Sequence, residues 1–161
     1  MSRSAEFLLA LVCLICFAPV FLLIGLWVLL VSRGPVFFLQ ERIGFRERAF
    51  WVIKFRTMHL GAEAGDSQSV TLKNDPRLIP GARFIRKYKI DETPQIINVL
   101  LGTMSFVGPR PTVLSDFERM DSQQRGRFTV CPGITGLAQI RGGTELKWPQ
   151  RIALDLEYIR V

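Results

Sequence analysis

A long apolar segment near the amino terminus constrains this chain more than any other feature of its sequence. The segment runs for 25 residues, from Phe7 to Val31, without a charged side chain. A straight helix of that length measures about 37 Å, which exceeds the roughly 30 Å hydrocarbon core of a bilayer. It is too long for a secretory signal peptide, and no small-residue cleavage site follows it. We therefore predict a membrane anchor over residues 1–32 and one further domain over residues 33–161.

Pro19 divides the apolar segment into two halves, Phe7–Ala18 and Val20–Val31, of 12 residues each. Each half measures about 18 Å as a helix, enough to reach the middle of a bilayer and turn back. A proline inside a helix removes one backbone hydrogen bond and frees the carbonyl four residues earlier, here that of Ile15. The segment contains no Ser or Thr to satisfy that carbonyl. These residues favour a re-entrant hairpin and a kinked span equally.

The charge of the chain lies almost entirely after the apolar segment. Lys and Arg number 21 against 14 Asp and Glu, which gives a net charge of +7, and only Arg3 and Glu6 precede the segment. A basic domain behind an anchor is attracted to anionic lipids and anionic ligands, and the positive-inside rule places it in the cytoplasm. The basic residues are scattered and form no recognition module, so nucleic-acid binding is not indicated. Cys13 and Cys16 are interpreted as apolar fillers rather than as a metal or redox motif.

Periodicity and turn residues predict a mostly helical α+β fold with one short β-hairpin. Thr93 is a candidate N-cap of a helix over Pro94–Leu101, whose apolar face could pack on the core or lie at the membrane interface. Gly61–Ser69 is expected to be a loop. The other predicted elements are strands at Val36–Leu39 and Phe50–Arg56, a charged helix at Asp116–Arg127 and a last helix from about Pro149.

The strongest candidate for a functional site is the adjacent carboxylate pair Asp91-Glu92. Such a pair beside basic residues is most often a solvated surface, but here a predicted helix start follows it, and cations precede it. Two further basic stretches, Lys54-Phe55-Arg56 and Pro109-Arg110-Pro111, could close on the same anion. Phosphoryl transfer depends on positioning and charge neutralisation, and adjacent carboxylates could divide into a nucleophile and a ligand of Mg²⁺.

The sequence lacks the residues that two other common kinds of functional site would need. His59 is the only histidine, which argues against a histidine-based metal cluster, and we interpret it as structural or solvent-exposed. The glycine-rich loops typical of nucleotide hydrolases and dinucleotide-binding enzymes are absent from the sequence.

Taken together, a series of short motifs resembles the bacterial sugar transferases, or monotopic phosphoglycosyl transferases. The motifs cover almost the whole chain in the order of that family. They are Gly34-Pro35-Val36-Phe37-Phe38, Gln40-Glu41-Arg42-Ile43-Gly44, Lys54-Phe55-Arg56-Thr57-Met58, Asn74-Asp75-Pro76-Arg77, Asp91-Glu92-Thr93-Pro94-Gln95, Asn98-Val99-Leu100, Met104-Ser105-Phe106-Val107-Gly108-Pro109-Arg110-Pro111, Pro132-Gly133-Ile134-Thr135-Gly136, and Leu154-Asp155 with Tyr158.

The resemblance implies a reaction and a location. Enzymes of this family transfer a sugar 1-phosphate from a UDP-sugar to undecaprenyl phosphate and release UMP. They work at the cytoplasmic face of the bacterial inner membrane, among phospholipids, and begin the synthesis of exopolysaccharide, O-antigen, capsule or glycoprotein glycans. Their anchor is a re-entrant helix-break-helix, which for this chain implies a hairpin broken at Pro19. The oligomeric state stays open, with a homo-oligomer among the options.

The resemblance also implies roles for individual residues. Asp91 is expected to be the nucleophile that forms a phosphosugar intermediate, and Glu92 the ligand of Mg²⁺. The expected substrate-binding residues are Lys54, Arg56, Arg86, Pro109, Arg110 and Pro111, together with Asp155 at an acidic family position.

The chain departs from the family pattern in three places. Ala18 stands where the family often has Ser, and Thr103 where it usually has Asp. Family members continue past the region of Tyr158, so a chain ending at Val161 is expected to be a shortened form. The competing hypothesis, motivated by the net charge of +7 and the anchor, is a catalytically degenerate, membrane-anchored module that binds anionic lipid or partner proteins.

Overall fold

The computed structural model describes residues 2–32, 34–62 and 75–160, and it has the expected mostly helical α+β architecture with small sheets. Most of the predicted Gly61–Ser69 loop lies outside the described residues. The helices are α1 (Arg3–Ser32), α2 (Ala82–Lys87), α3 (Gln95–Leu101), α4 (Leu114–Glu118), α5 (Ser122–Arg125), α6 (Leu137–Ile140) and α7 (Trp148–Arg160). The strands are β1 (Phe37–Ile43), β2 (Ala49–Phe55), β3 (Ser105–Val107) and β4 (Gly133–Thr135). Single 3-10 turns occupy Phe45–Glu47, Ile90–Glu92, Gly126–Thr129 and Gly143–Glu145.

The apolar segment forms a single helix, α1, that passes through Pro19. One helix therefore replaces the two that were expected on either side of the proline, while the re-entrant path itself stays a prediction. The helix is long and apolar enough to cross a membrane, and only 6% of its most apolar window is buried. Such exposure is unlike that of a core helix in a soluble protein.

Both ends of α1 contact the rest of the protein. At the first turn, the Arg3 guanidinium donates to the carbonyl oxygens of Val99 and Met104, and Glu6 accepts a hydrogen bond from the Ser105 hydroxyl. Towards the other end, Ile24 and Val28 are buried in a cluster with Phe55 of β2. In between, residues 15–20 are exposed. The helix is thus attached to the domain near both of its ends.

The predicted β-hairpin is present, and Asn98 attaches it to α3. Strands β1 and β2 pair antiparallel with Phe37 opposite Phe55. The buried Asn98 side chain accepts from Ile53 N at 3.0 Å and donates to Trp51 O at 2.7 Å. It also donates to the hydroxyl of Thr103.

Helix α3 contributes to the core, as one of the two alternatives had it, but Leu101 at its end is exposed, and a position at the membrane interface stays a prediction. Ile96 and Val99 are buried with Val52 and Met104.

Two local predictions were wrong. The Thr93 hydroxyl donates to the carbonyl of Ile90, and Pro94 occupies the N-cap position of α3 without a side-chain cap. The helix expected at Asp116–Arg127 is instead two short helices, α4 and α5, because Asp121 forms a capping box with Gln124 and starts a new helix.

Three glycines allow β3 and β4 to pair in parallel at very close range. A Cβ on Gly133 would lie 2.1 Å from the backbone nitrogen of Gly108, and one on Gly136 would lie 2.2 Å from the Gly108 carbonyl oxygen. Any larger residue would force the backbones apart. The pairing fixes Gly108, and therefore the point at which the Pro109-Arg110-Pro111 loop leaves β3.

Candidate functional site

The candidate site is a cavity of about 840 Å³ between the carboxylate pair and the carboxyl-terminal helices. It is lined by Glu92, Thr93 and Lys89 and also by Trp148 and the Gly142-Gly143 turn. Its remaining lining residues include Arg42, Arg110, Pro111, Thr112, Asp116, Arg127, Gln139, Arg151 and Asp155.

A tight turn holds both carboxylates, and Glu92 lines this cavity. Asp91 and Glu92 lie in the 3-10 turn that precedes α3, and both are buried. Lys89 enters the turn in a left-handed conformation, with φ of 58°. The hydrogen bond from Thr93 to Ile90 closes the turn on the other side. The acidic pair is therefore held by backbone geometry and is not a solvated surface pair.

Glu92 is neutralised by two cations from other parts of the chain. Arg110 donates from both terminal nitrogens to the two carboxylate oxygens, at 2.6 and 3.1 Å. The Lys54 ammonium lies 3.6 Å from the same carboxylate. Burial raises the pKa of Glu92, but the hydrogen bonds and charge of Arg110 outweigh it, and the pKa falls to about 2. Glu92 is thus ionised throughout the physiological range.

Asp91, its neighbour, has the opposite environment. Among the described residues, Oδ1 of Asp91 is buried without a hydrogen-bond partner. Burial and then the charge of Glu92 raise the pKa of Asp91, against the weaker attraction of Lys54 and Arg86. An unpartnered buried carboxylate oxygen costs folding free energy, and such cost concentrates at functional sites.

A cationic wall on the hairpin faces the pair. The side-chain oxygen of Gln40 accepts hydrogen bonds from Arg42 at 2.6 Å and from Lys54 at 3.4 Å, so two positive charges are held next to each other by one neutral side chain. Burial lowers the pKa of Lys54 to about 8 and that of Arg42 to about 10. Among the described residues, Lys54 shares Glu92 with Arg110 and Arg42 has no carboxylate within ion-pair distance, so this wall suits an anionic ligand.

The loop that carries Arg110 is fixed at both ends. Before it, Gly133 N donates to Pro109 O at 2.9 Å. After it, Thr112 and Ile43 exchange backbone hydrogen bonds of 2.8 and 3.2 Å. The Arg110 side chain keeps 43% of its surface exposed although it is bound to Glu92.

The structure brings some predicted residues together and separates others. Glu92, Arg110 and Pro111 line the cavity, Lys54 lies 3.6 Å from Glu92 and its charge acts on Asp91, and Pro109 lines a small neighbouring pocket with Arg110. Asp155 lines the same cavity, where it pairs with Arg127 at 2.7 Å.

The two other predicted anion-binding arginines have structural contacts. Arg56 is buried and donates to Pro35 O at 3.0 Å. Arg86 donates to the Thr57 hydroxyl at 3.3 Å, and its charge is felt by Asp91. The Arg86 charge thus acts on the carboxylate pair.

Sequence reasoning missed two cations of the site, Arg42 and Arg127. Arg42 could have been found from the sequence, because it stands two residues from Gln40 on one strand and side chains two apart lie on the same face. Arg127 could not have been found in this way, since its buried partner Asp155 is 28 positions away in the sequence.

The residues fit a Mg²⁺ ion only in part. Carboxylates are the hard ligands that Mg²⁺ prefers, and the unpartnered oxygen of Asp91 is available beside Glu92. Both oxygens of Glu92, however, are engaged by Arg110. Within the described ranges, no group of three His, Cys, Asp or Glu side chains converges. An ion here would need further oxygens from phosphate and water.

Comparison with known proteins gives the class to which this site belongs. The sequence matches the family described as bacterial sugar transferase over residues 1–161. The chain therefore belongs to the bacterial sugar transferase family, as the motifs had indicated.

Three relatives illustrate the match. The chain is 41% identical over 171 residues to the undecaprenyl-phosphate glucose phosphotransferase of Komagataeibacter xylinus, with 99% of this chain and 32% of that protein aligned. It is 41% identical to the UDP-glucose:undecaprenyl-phosphate glucose-1-phosphate transferase of Escherichia coli (strain K12), with 99% of this chain and 36% of that protein aligned. It is 37% identical to the exopolysaccharide production protein ExoY of Rhizobium meliloti (strain 1021), with 99% and 76% aligned. The chain spans about a third of the length of the first two.

Proposed function

We propose that the protein transfers a sugar 1-phosphate from a UDP-sugar to undecaprenyl phosphate and releases UMP. The observation that carries the proposal is the buried, unpartnered oxygen of Asp91 beside a Glu92 that is already neutralised by Arg110 and Lys54. The names of the relatives support UDP-glucose as the first sugar nucleotide to test.

The reaction proceeds in two displacements at phosphorus. In the first, a carboxylate oxygen of Asp91 attacks the β-phosphorus of the UDP-sugar. The bond from that phosphorus to the bridging oxygen breaks, and UMP leaves with the electron pair. In the second, an oxygen of undecaprenyl phosphate attacks the phosphorus of the aspartyl phosphosugar. The Asp91 carboxylate is released, and the lipid diphosphate sugar is formed.

The cations stabilise the negative charge that moves during both steps. Arg110 presents a bidentate guanidinium, which suits phosphate oxygens, and its exposed fraction leaves it accessible from the cavity. Lys54 adds a second charge, 3.6 Å from the Glu92 carboxylate. Bound Mg²⁺ would neutralise diphosphate oxygens, with Glu92 and Asp91 as the protein carboxylates able to hold it.

The membrane part of the proposal is a re-entrant anchor with the domain on the cytoplasmic face. Arg3 and Glu6, at one end of α1, contact residues 99–105 of the domain, while Ile24 and Val28 near the other end pack on Phe55. A helix whose two ends hold the same domain is better placed to enter and leave one face of the bilayer than to cross it. The exposed leucines of α1 then contact phospholipid tails.

A UMP-release assay tests the activity. The purified protein is incubated with undecaprenyl phosphate, Mg²⁺ and a panel of UDP-sugars that begins with UDP-glucose. We expect UMP with at least one of them, and none with Asp91→Asn. Turnover that persists in Asp91→Asn would contradict the nucleophile. Lipid binding without turnover by the parent protein across the panel would favour the degenerate membrane module.

The role of Glu92 is tested by a Mg²⁺ titration of Glu92→Gln. We expect half-maximal activity to require more Mg²⁺ than the parent protein needs, because one carboxylate ligand is lost. An unchanged titration curve would argue against Glu92 as a metal ligand.

Accessibility of the amino terminus tests the topology. A cysteine introduced at residue 2, in a chain whose own cysteines are replaced, should react with an impermeant thiol reagent only from the cytoplasmic side. Labelling from the periplasmic side alone would contradict the re-entrant anchor.

A further inference from the structure

The Arg110 loop has few ways of being held by its own backbone. Pro109 and Pro111 have no N–H group, so two of the three loop residues cannot donate a hydrogen bond. The carbonyl oxygens provide the attachment instead. Pro109 O accepts from Gly133, and Arg110 O accepts from the side chain of Arg127 at 2.8 Å.

Arg127 is in turn held by α7. Its Nη2, which donates to the Arg110 carbonyl, also lies 2.7 Å from Oδ2 of Asp155. The two side chains are only 5% and 4% exposed. The 3-10 turn that carries Arg127 is closed by the Thr129 hydroxyl, which donates to Gly126 O. A buried arginine with one carboxylate partner has a single favourable position, because leaving it would strand a charge out of water.

The core beneath this pair supports the same loop from its other end. Ile152, one turn before Asp155 on α7, is buried with Phe128 and Ile43. Ile43 exchanges backbone hydrogen bonds with Thr112, which follows the loop. Helix α7 is therefore connected to both ends of the loop that aims Arg110 at Glu92.

We propose that Arg127, fixed by Asp155, is a positioning residue that sets the direction of the Arg110 guanidinium towards Glu92 and the substrate diphosphate. The proposal rests on the proposed function, and it assigns a role to the acidic residue of α7 that does not involve substrate contact. Asp155 and Arg127 act through the backbone of Arg110, whereas catalysis uses its side chain.

Because Arg127 acts on the Arg110 backbone and catalysis uses the Arg110 side chain, one experiment can distinguish a positioning pair from a purely structural one. Arg127→Met is compared in two backgrounds, the parent protein and Arg110→Ala, which keeps the carbonyl that Arg127 binds but removes the guanidinium that it aims. In the parent background, kcat/KM for the UDP-sugar should fall about 10- to 100-fold, the usual effect of misplacing a catalytic group by about 1 Å. In the Arg110→Ala background the further loss should be less than about twofold. The loss of thermal stability should be equal in both.

Glu157→Gln is the matched control, because it removes a charge from α7 in an exposed pair with Arg141 and touches neither Arg110 nor Arg127. Its effect on kcat/KM should be the same in both backgrounds. An equal loss of kcat/KM for Arg127→Met in both backgrounds would overturn the positioning role. If Arg127→Met does not fold, the double variant Arg127→Met/Asp155→Leu removes the buried charges together and serves in the same comparison.

A second measurement separates this proposal from the proposed function. The affinity for UDP is measured by calorimetry for the same set of variants. A parent protein that releases UMP but shows additive losses contradicts the positioning role alone. A parent that binds UDP without turnover contradicts the proposed function, while a non-additive affinity still supports the positioning role. A parent that neither turns over nor binds UDP overturns both.

Discussion

Two arginine–carboxylate pairs line the same cavity. They have the same chemistry, but their side chains differ in how far they are exposed to solvent. At one end, Arg110 binds Glu92 with a side chain that is 43% exposed. Farther along, Arg127 binds Asp155 with both side chains at 5% exposure or less. The first pair can exchange its partner for a ligand that enters the cavity. The second cannot be reached, and its effect is on the position of other groups.

The difference shows why accessibility decides the role of an ion pair. At the Glu92 end, Asp91 is left without a partner for one oxygen, so part of the charge there is available for chemistry. At the other pair, the Arg127 guanidinium binds both Asp155 and the Arg110 carbonyl oxygen, so its charge serves to hold the Arg110 backbone. Substitutions at the first pair should cost mainly activity, whereas those at the second should cost stability together with the activity that depends on the position of Arg110.

The largest expected effect comes from Asp91→Asn. UMP release should fall at least about 10³-fold because the attacking carboxylate is gone. Stability at pH 7, measured by thermal unfolding without Mg²⁺, should rise. Burial raises the folded-state pKa of Asp91, so its ionised form costs folding free energy above that pKa. The gain should disappear as the pH falls below the unfolded pKa, and a stability loss at pH 7 would contradict this account.

The next effect is on stability, from Asp155→Asn. The substitution leaves the buried Arg127 charge without its partner, which should cost about 3–5 kcal/mol. Thermal or urea unfolding in detergent measures the loss. The double variant Arg127→Met/Asp155→Leu should recover part of it, because two buried charges leave together. A loss below about 1 kcal/mol would mean that the Arg127–Asp155 pair is no more important to stability than the partly exposed Arg110–Glu92 pair.

Arg110→Lys should lower kcat/KM for the UDP-sugar about 10²-fold, because an ammonium cannot form the two parallel hydrogen bonds of a guanidinium. The stability loss should stay below about 1 kcal/mol, since the side chain is partly exposed. Steady-state kinetics and unfolding on the same preparation provide both numbers. A stability loss as large as that of Asp155→Asn would remove the distinction between the two pairs.

The pH profile tests the Lys54 charge. Burial lowers the pKa of Lys54 to about 8, so the ammonium loses its proton, and its charge, as the pH rises through that value. The kcat/KM of the parent should fall along an alkaline limb near pH 8. In Lys54→Arg this limb should be absent, because a guanidinium stays charged. An unchanged limb in that variant would assign it to another group.

The smallest effect is expected from Glu157→Gln, which serves as the control for α7. Glu157 pairs with Arg141 at 2.9 Å, but the two side chains are 47% and 54% exposed. Stability should change by less than about 1 kcal/mol and kcat/KM by less than about twofold. A large loss here would mean that any charge on this helix matters, not only Asp155.

Much of the fold and half of the site could be predicted from the sequence. The hairpin followed from strand periodicity, and the carboxylate pair from its basic surroundings and the motif around it. The contacts of Arg56 with Pro35 and of Arg127 with Asp155 could not be predicted, because they join residues whose proximity depends on tertiary packing. The split of Asp116–Arg127 was missed because the capping box at Asp121 outweighs a continuous pattern of charges.

The attachment of Arg3 also bears on the order of events during synthesis. Its hydrogen-bond partners, Val99 and Met104, lie 96 and 101 residues farther along the chain. The ribosome must therefore add about a hundred residues after Arg3 before the first turn of α1 can find its partners. The attachment of that turn is thus a late event, which follows the synthesis of the whole apolar helix and the folding of α3 against it.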